Sequence, residues 1–139
     1  MTDMLKSEMR RSIEINREME KVINIMKIEY SELENGIRLI KLIGRLDMEG
    51  TNSIDKQFVQ HCAGENVYVL VDLSRVNYLS SIGIPMLITS AKAVANRGGR
   101  MAFLTPQANV KSVLDITGVS NAIRIYKDLE TARERLMLE

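Results

Sequence analysis

The stretch Tyr78-Leu79-Ser80-Ser81-Ile82-Gly83-Ile84-Pro85-Met86-Leu87 joins an apolar run to an amphipathic segment, and it fixes how the flanking elements follow one another. Pro85 lacks a backbone N–H and is tolerated only in the first turn of a helix, so a helix is predicted to begin between about Ser81 and Ile84. Two interpretations of the serines are open. Ser81 could cap the helix, which stabilises by about 1 kcal/mol, or it could be a site where charge is added and removed.

The elements on either side of the serines can be predicted from their patterns. Residues Val67 to Val71 form a continuous apolar run rich in β-branched side chains, which predicts a buried strand that ends near residues 72–74. After the serines, apolar residues recur on one helical face up to Asn96, where two glycines follow and end the helix. The apolar residues of that face are Ile84, Leu87, Ile88, Ala91, Val94 and Ala95.

The remaining elements alternate between strand and helix. A β-hairpin is predicted over residues 27–46, because Asn35-Gly36 is a strong hairpin signal between two alternating segments. The other predicted elements are helices over residues 53–62, 109–117 and 129–138 and strands over residues 101–104 and 122–126. A hairpin followed by alternating helices and strands predicts an α/β fold with a mixed, mostly parallel sheet and crossover helices.

Residues 1–25 differ in character from the rest of the chain. They contain no glycine or proline and many charges, which predicts one helix with two offset apolar stripes. The stripes are Leu5, Met9 and Ile13, and Ile15, Met19, Val22 and Met26. The segment is interpreted either as a solvated helix packed loosely on the domain or as a helix that forms a homodimer or binds a partner. We therefore predict a helical extension over residues 1–25 and one domain over residues 26–139.

Composition excludes several classes of protein. A chain of 139 residues can bury a core as one domain without disulfides or metals. It carries 19 Lys and Arg against 18 Asp and Glu, so it lacks the basic character of a nucleic-acid binder. No apolar run is long enough for a membrane span, and the N-terminus does not resemble a secretory signal. The single cysteine excludes an internal disulfide and fits a cytoplasmic location.

Residues suited to catalysis are scarce. The only histidine, His61, adjoins the only cysteine, Cys62, and adjacent positions rarely give a Cys/His nucleophile pair its geometry. The chain contains no dinucleotide-binding, phosphate-loop or zinc-protease motif. We therefore predict that the protein is not an enzyme and has no catalytic residue, metal site or cofactor.

Four segments in register resemble one known family. They are Gly44 to Asp47, Asp72 to Ile84, Gly98-Gly99 followed by Met101 to Leu104, and Val110 to Val119. Together they resemble the STAS domain of bacterial anti-sigma factor antagonists, and the resemblance covers about residues 27 to 138. It implies the STAS fold, to which the N-terminal helix is an addition.

The resemblance also implies a mechanism. An unphosphorylated antagonist of this family binds an anti-sigma factor that is also a serine kinase of the GHKL type, and so frees the sigma factor. The kinase phosphorylates the antagonist, which then dissociates, and a PP2C-type phosphatase reverses the modification. The acceptor position falls on Ser81, with Ser80 as the less favoured serine. The implied partner-binding residues are Asp47, Asn77, Tyr78, Ser80, Ser81, Ile82, Gly83 and Ile84.

Two other functions compatible with the STAS resemblance stay open. The chain could be a scaffold subunit of a larger signalling assembly, with the N-terminal helix as the oligomerising element. It could also be a ligand-sensing module whose serine crevice holds a small anion or a lipid, although only Arg75 and Arg45 lie nearby in the sequence. The serine in the acceptor position favours the phosphorylation-controlled antagonist. None of the three functions requires direct contact with nucleic acid.

Overall fold

The structure is a computed structural model that describes residues 26–138 together with Ser7, Arg10 and Arg11. Those three N-terminal residues are helical and exposed. The rest of the helical extension predicted over residues 1–25 lies outside the described residues, as do its apolar stripes except for Met26. The assignment of Met26 to a helical stripe is wrong, because this residue is buried and begins the first strand of the sheet. The domain boundary at residue 26 therefore stays a prediction.

The described part of the chain is built on a five-stranded sheet in the order β1-β2-β3-β4-β5. The strands are β1 (Met26–Glu32), β2 (Arg38–Leu46), β3 (Tyr68–Leu79), β4 (Arg100–Leu104) and β5 (Ile125–Tyr126). β1 is antiparallel to β2, and the other neighbours are parallel. The predicted mixed, mostly parallel sheet is thus confirmed.

The hairpin between β1 and β2 is also confirmed. Its turn is a single 3-10 turn over Glu34–Gly36 in which Asn35 and Gly36 have φ angles of 68° and 78°. These left-handed conformations are the ones that asparagine and glycine adopt with least strain.

Five helices lie within residues 26–138. They are α1 (Met48–His61), α2 (Gly83–Asn96), α3 (Ala108–Ile116), α4 (Val119–Ala122) and α5 (Leu129–Arg135). Helices α1 to α4 each bury apolar residues on one face of the sheet. On the other face, Ala132 of α5 and Leu136, the residue after α5, are buried. Val69, Leu70 and Val71 are fully buried, as the continuous apolar run of β3 predicts.

The predicted end of β3 near residues 72–74 is wrong, because the strand continues to Leu79. The pairs Lys41–Asp72 and Arg45–Tyr78 are four residues apart along β2 but six apart along β3, so β3 contains two bulged residues. A bulge leaves the backbone pairing in place on both sides while it changes which side chains face the core. This is why the polar residues after Val71 did not end the strand.

The predicted start of α1 at residue 53 is also wrong, since the helix begins at Met48 with Asp47 as its N-cap. Gly50 and Thr51 are poor helix formers, so the sequence pattern did not predict this first turn. Gly50 is needed there for packing, because a Cβ atom at this position would overlap the carbonyl oxygen of Arg45. The helix can therefore follow β2 at once, through a tight corner.

The C-terminal part also differs from the prediction. The strand predicted over residues 122–126 is only Ile125–Tyr126, because residues Val119–Ala122 form the short helix α4. Gly118 precedes this helix with a φ angle of 81°, which allows a second helical turn to start directly after α3. The last helix ends at Arg135 rather than at residue 138.

Candidate functional site

The two serines lie where the neighbouring strands β2 and β3 end. Leu46 and Leu79 are paired residues at the carboxyl ends of the two strands. The backbone N–H of Ser80 donates a hydrogen bond to the Leu46 carbonyl oxygen at 3.0 Å. The Ser80 hydroxyl donates to the same oxygen at 2.9 Å, so Ser80 is tied to the end of β2.

Ser80 also organises the turn that leads into α2. Its hydroxyl oxygen accepts a hydrogen bond from the backbone N–H of Ile82 at 3.3 Å. Its carbonyl oxygen accepts another from the backbone N–H of Gly83 at 3.1 Å. Ser80 is half-buried, and its hydroxyl is engaged both as donor and as acceptor.

Ser81 is exposed, in contrast to its neighbour. Within the part of the chain that the structure describes, its hydroxyl has no hydrogen-bond partner. Helix α2 begins at Gly83 as predicted, but its N-cap residue is Ile82 and no side chain caps it. The capping interpretation of Ser81 is therefore wrong, and the local stabilising hydrogen bonds belong to Ser80.

Asp47 has a structural role beside this turn. Its Oδ1 accepts a hydrogen bond from the backbone N–H of Gly50 at 2.8 Å and so caps α1. That hydrogen bond, with a smaller contribution from Arg45, lowers the pKa of the Asp47 carboxyl group. The Nε of Arg45 lies 3.4 Å from Oδ2 of Asp47. The carboxylate is thus held by the first turn of α1 and by Arg45.

Arg45 also contacts an aromatic ring of the next strand. Its guanidinium carbon lies 4.3 Å from the centroid of the Tyr78 ring, which is a cation–π contact. The two residues are paired in the sheet, one position before Leu46 and Leu79. The contact fixes the orientation of an exposed aromatic side chain at the edge of the sheet that carries the serines.

The eight predicted partner-binding residues fall into three groups. The side chains of Asn77, Tyr78, Ser81 and Ile82 are exposed, with Tyr78 at 40% and Ile82 at 47%. Asp47 and Ser80 are partly buried and hold the local structure. Gly83 and Ile84 are buried and belong to the packing of α2 on Leu46 and Leu79.

The structure adds two residues to this edge that the sequence analysis did not select. Met48, the first residue of α1, is 58% exposed directly after Asp47. Asn109, in the first turn of α3, donates from its side-chain nitrogen to the Asn77 carbonyl oxygen at 2.8 Å. Both could have been selected because they start helices that follow parallel strands, where α/β proteins carry their binding residues.

The Cys62 and His61 side chains have separate environments. Cys62 is buried, and burial raises the pKa of its thiol to about 11, so the thiol stays protonated near neutral pH. The His61 ring stacks on Tyr30 with centroids 4.4 Å apart.

Within residues 26–138 and the three described N-terminal residues, no cluster of acidic, histidine and cysteine side chains could hold a metal ion. None of the helices searched there has the length and apolar character to cross a membrane.

Comparison with known proteins decides the family. The family model described as the STAS domain matches residues 31–132, which is most of the chain. The chain belongs to the STAS domain family. The resemblance inferred from the four sequence segments is thereby confirmed, together with the fold that it implied.

Three relatives illustrate the match. A Thermotoga neapolitana protein, whose name provisionally makes it an anti-sigma factor antagonist, is 29% identical over 68 residues, or 49% of this chain and 60% of the relative. The STAS domain protein of Planctomyces limnophilus has a TM-score of 0.72 at 20% identity, covering 79% of this chain and 97% of that chain. The antagonist SpoIIAA in its unphosphorylated form has a TM-score of 0.65 at 17% identity, covering 81% and 98%.

These relatives differ in what they establish. The two solved structures share the fold with this chain. SpoIIAA, from Bacillus, is also known in a phosphorylated form. The chain spans less than two thirds of the length of the curated relatives that it matches.

Proposed function

We propose that this STAS-domain protein is an anti-sigma factor antagonist controlled by phosphorylation of Ser81. The unphosphorylated protein binds an anti-sigma factor and frees the sigma factor, and the phosphorylated protein dissociates. The observation that carries the proposal is the exposed Ser81 hydroxyl, which has no partner among the described residues, next to the fully engaged hydroxyl of Ser80. The hydroxyl group that accepts a phosphate must be accessible to the kinase, and its phosphorylation must leave the fold intact.

The surroundings of Ser81 suit a protein interface. We define the serine surface as the exposed residues Met48, Tyr78, Ser81, Ile82 and Asn109. Its three apolar members are large side chains that a partner would cover. The loop and helix starts that carry these residues are tied to one another through Leu46 and Asn77, so the surface is preorganised for binding.

The effect of a phosphate on this surface follows from its charge. A phosphoserine carries about −1.5 to −2 charges at neutral pH. A partner that covers Tyr78 and Ile82 also removes water from Ser81, and an uncompensated buried charge costs several kcal/mol. Phosphorylation is therefore expected to weaken binding without any rearrangement of the core.

The free protein would tolerate the same phosphate. Ser81 precedes α2 by two residues, and the first turn of α2 contains no acidic residue. The positive end of a helix stabilises nearby anions, so the phosphate would be stabilised in the free protein. In the complex with the partner it would be destabilised. This difference between the two states is what a reversible switch requires.

The enzymes that add and remove the phosphate are part of the proposal. We propose a GHKL-type serine kinase that is itself the anti-sigma factor, and a PP2C-type phosphatase that restores the active form. Family membership supports this assignment, as does the existence of both phosphorylation forms of SpoIIAA. We further propose that the protein acts in the cytoplasm and has no catalytic activity of its own.

A pull-down tests the proposal. Unphosphorylated full-length protein is expected to retain a GHKL-type kinase from a lysate of the source organism, and addition of ATP should release it. The Ser81→Ala protein should retain the same kinase in the presence of ATP. Recovery of no kinase with either protein, or equal release from both, would exclude the proposed switch.

A further inference from the structure

A concave site lies away from the serine surface. It is a cleft of about 410 Å³ between α2 and the segment that joins α4 to β5. Its lining includes Gly99 and Met101 at the amino end of β4, whereas Ser81 follows the carboxyl end of the parallel strand β3. The cleft and Ser81 therefore lie at opposite edges of the sheet.

The shortness of β5 explains the cleft. β5 pairs only with Phe103 and Leu104, so among the described residues the start of β4 has no strand on that side. The walls are formed by small residues, Ala91 and Ala95 on α2 and Ala122 on α4, which leave space above the sheet. The volume is in the range of about 300 to 1,000 Å³ typical of ligand pockets.

The lining indicates which chemistry the cleft would accept. The larger apolar residues of its lining are Ile88, Met101 and Ile123, and none of its described lining residues is aromatic or acidic. The lining therefore offers no ring on which a nucleotide base would stack and no carboxylate to accept hydrogen bonds from a sugar. An alkyl chain would be covered by its aliphatic side chains.

The rim adds a positive charge. Lys92, on α2, and Arg124 are exposed and both line the cleft. Arg100 also lines the cleft, but its guanidinium donates a hydrogen bond to the Leu136 carbonyl oxygen at 3.3 Å. This group therefore already has a partner within the protein. Lys92 supplies a cation for the anionic head of a ligand whose chain fills the cleft.

We propose that this cleft binds a medium-chain fatty carboxylate. The alkyl chain lies over Ile88, Met101 and Ile123, and the carboxylate pairs with Lys92. An alkyl chain matches the aliphatic lining, and the negative head matches a lining with cations and no carboxylate. This binding is independent of the proposed phosphorylation of Ser81.

Titration calorimetry with the full-length protein tests the proposal. The probes are decanoate below its micelle concentration, the uncharged decanol, and inorganic phosphate. Saturable binding of decanoate is expected, with about fivefold weaker binding of decanol and no binding of phosphate. Absence of saturable decanoate binding would overturn the proposal, and equal affinity for decanol would overturn the role of the carboxylate.

Two variants with matched controls locate the site. Ala95→Phe fills the cleft from an exposed position and should weaken decanoate binding by at least about tenfold. Ala108→Phe, at an exposed alanine of α3 outside the lining, should leave it unchanged. Lys92→Gln should weaken binding by about fivefold, whereas Lys56→Gln, at an exposed lysine of α1, should not.

Other occupants of the cleft give different results. If a second copy of the chain covers it, light scattering would show a dimer that Ala95→Phe disrupts, and decanoate would not bind. Decanoate binding that Ala95→Phe leaves unchanged would place the ligand elsewhere. Either result overturns the proposal. If Ala95→Phe does not fold, Lys92→Gln and the decanol comparison still decide, and no readout involves Ser81 or an anti-sigma factor.

Discussion

The Ser80 hydroxyl donates a hydrogen bond to the carbonyl oxygen of Leu46 at 2.9 Å and thereby joins the turn before α2 to the end of β2. This contact separates the roles of two adjacent serines. Ser80 holds the turn, and Ser81 is presented to solvent by it.

This division of roles predicts the site of modification. Incubation with the cognate kinase and ATP should place phosphate on Ser81 and little or none on Ser80, as read by tandem mass spectrometry. Ser81→Ala should abolish the phosphate, whereas Ser80→Ala should retain it. Stoichiometric phosphate on Ser80 alone would contradict the assignment.

The same contact predicts a difference in stability between the two alanine variants. Ser80→Ala removes a hydroxyl that donates to Leu46 and accepts from Ile82, so it should lower the free energy of unfolding by about 1 kcal/mol. Ser81→Ala should change it by less than about 0.5 kcal/mol, because an exposed side chain without partners is lost. Urea denaturation of both variants measures this. Equal losses would show that the hydroxyl bonds of Ser80 do not stabilise the turn.

Charge at position 81 should decide partner binding. Ser81→Ala should bind the anti-sigma factor as the unmodified protein does, and Ser81→Asp should bind at least about tenfold more weakly, because a charge must be desolvated. Ser31→Asp adds the same charge at an exposed position of β1 and serves as the control. Calorimetric affinities of the three variants provide the test. If Ser81→Asp and Ser81→Ala bind equally, a charge at this position does not control the interaction.

The N-cap of α1 should give a pH-dependent contribution to stability. The hydrogen bond from Gly50 lowers the pKa of the Asp47 carboxyl group below its ordinary value. The contribution is therefore present above the unfolded pKa and is lost as the pH falls through the lower folded pKa. Asp47→Ala should cost about 1 kcal/mol at pH 7 and progressively less in acid.

Asp47→Asn is the matched control for this cap, since it keeps an acceptor for the Gly50 N–H and removes only the charge. Its unfolding free energy should stay closer to that of the unmodified protein at neutral pH. Denaturant titrations at neutral and acid pH measure both variants. An Asp47→Ala penalty that stays constant with pH would show that the carboxylate does not stabilise the helix.

Removal of the N-terminal extension should leave a folded domain. The described core is formed by residues 26–138, which are enough to bury their own apolar surface. Deletion of residues 1–25 should lower stability only modestly and weaken any dimer that the full chain forms. Thermal melts and light scattering of both proteins test this. A truncated chain that does not fold would move the domain boundary into the N-terminal helix.

The sequence predicted those parts of the fold that depend on local signals. Asn35-Gly36 marked the hairpin, Pro85 marked the first turn of α2, and Gly98 marked its end. Pro85 restricts its own backbone, and Asn35, Gly36 and Gly98 adopt left-handed conformations with little strain. Each of these signals therefore acts within one short segment of the chain. The family motif added the prediction that Ser81 is the acceptor serine, since no local pattern distinguishes it from its neighbour.

The parts that could not be predicted depend on contacts between segments. β3 continues past Asp72 because β2 pairs with it, and the bulges that allow this are not visible in either strand alone. Ser80 differs from Ser81 because a carbonyl oxygen of Leu46, 34 residues earlier, lies within reach of one hydroxyl only. Asn109 joins the site through a bond to Asn77, across two elements that are separated in the sequence.

The affinity of the anti-sigma factor for two forms of the full-length protein tests the central claim most directly. Titration calorimetry would compare the unphosphorylated protein with protein that is homogeneously phosphorylated on Ser81. A desolvation cost of about 2 kcal/mol or more predicts that the phosphorylated form binds at least about thirtyfold more weakly. Equal affinity of the two forms would contradict the proposal that Ser81 phosphorylation controls the partner.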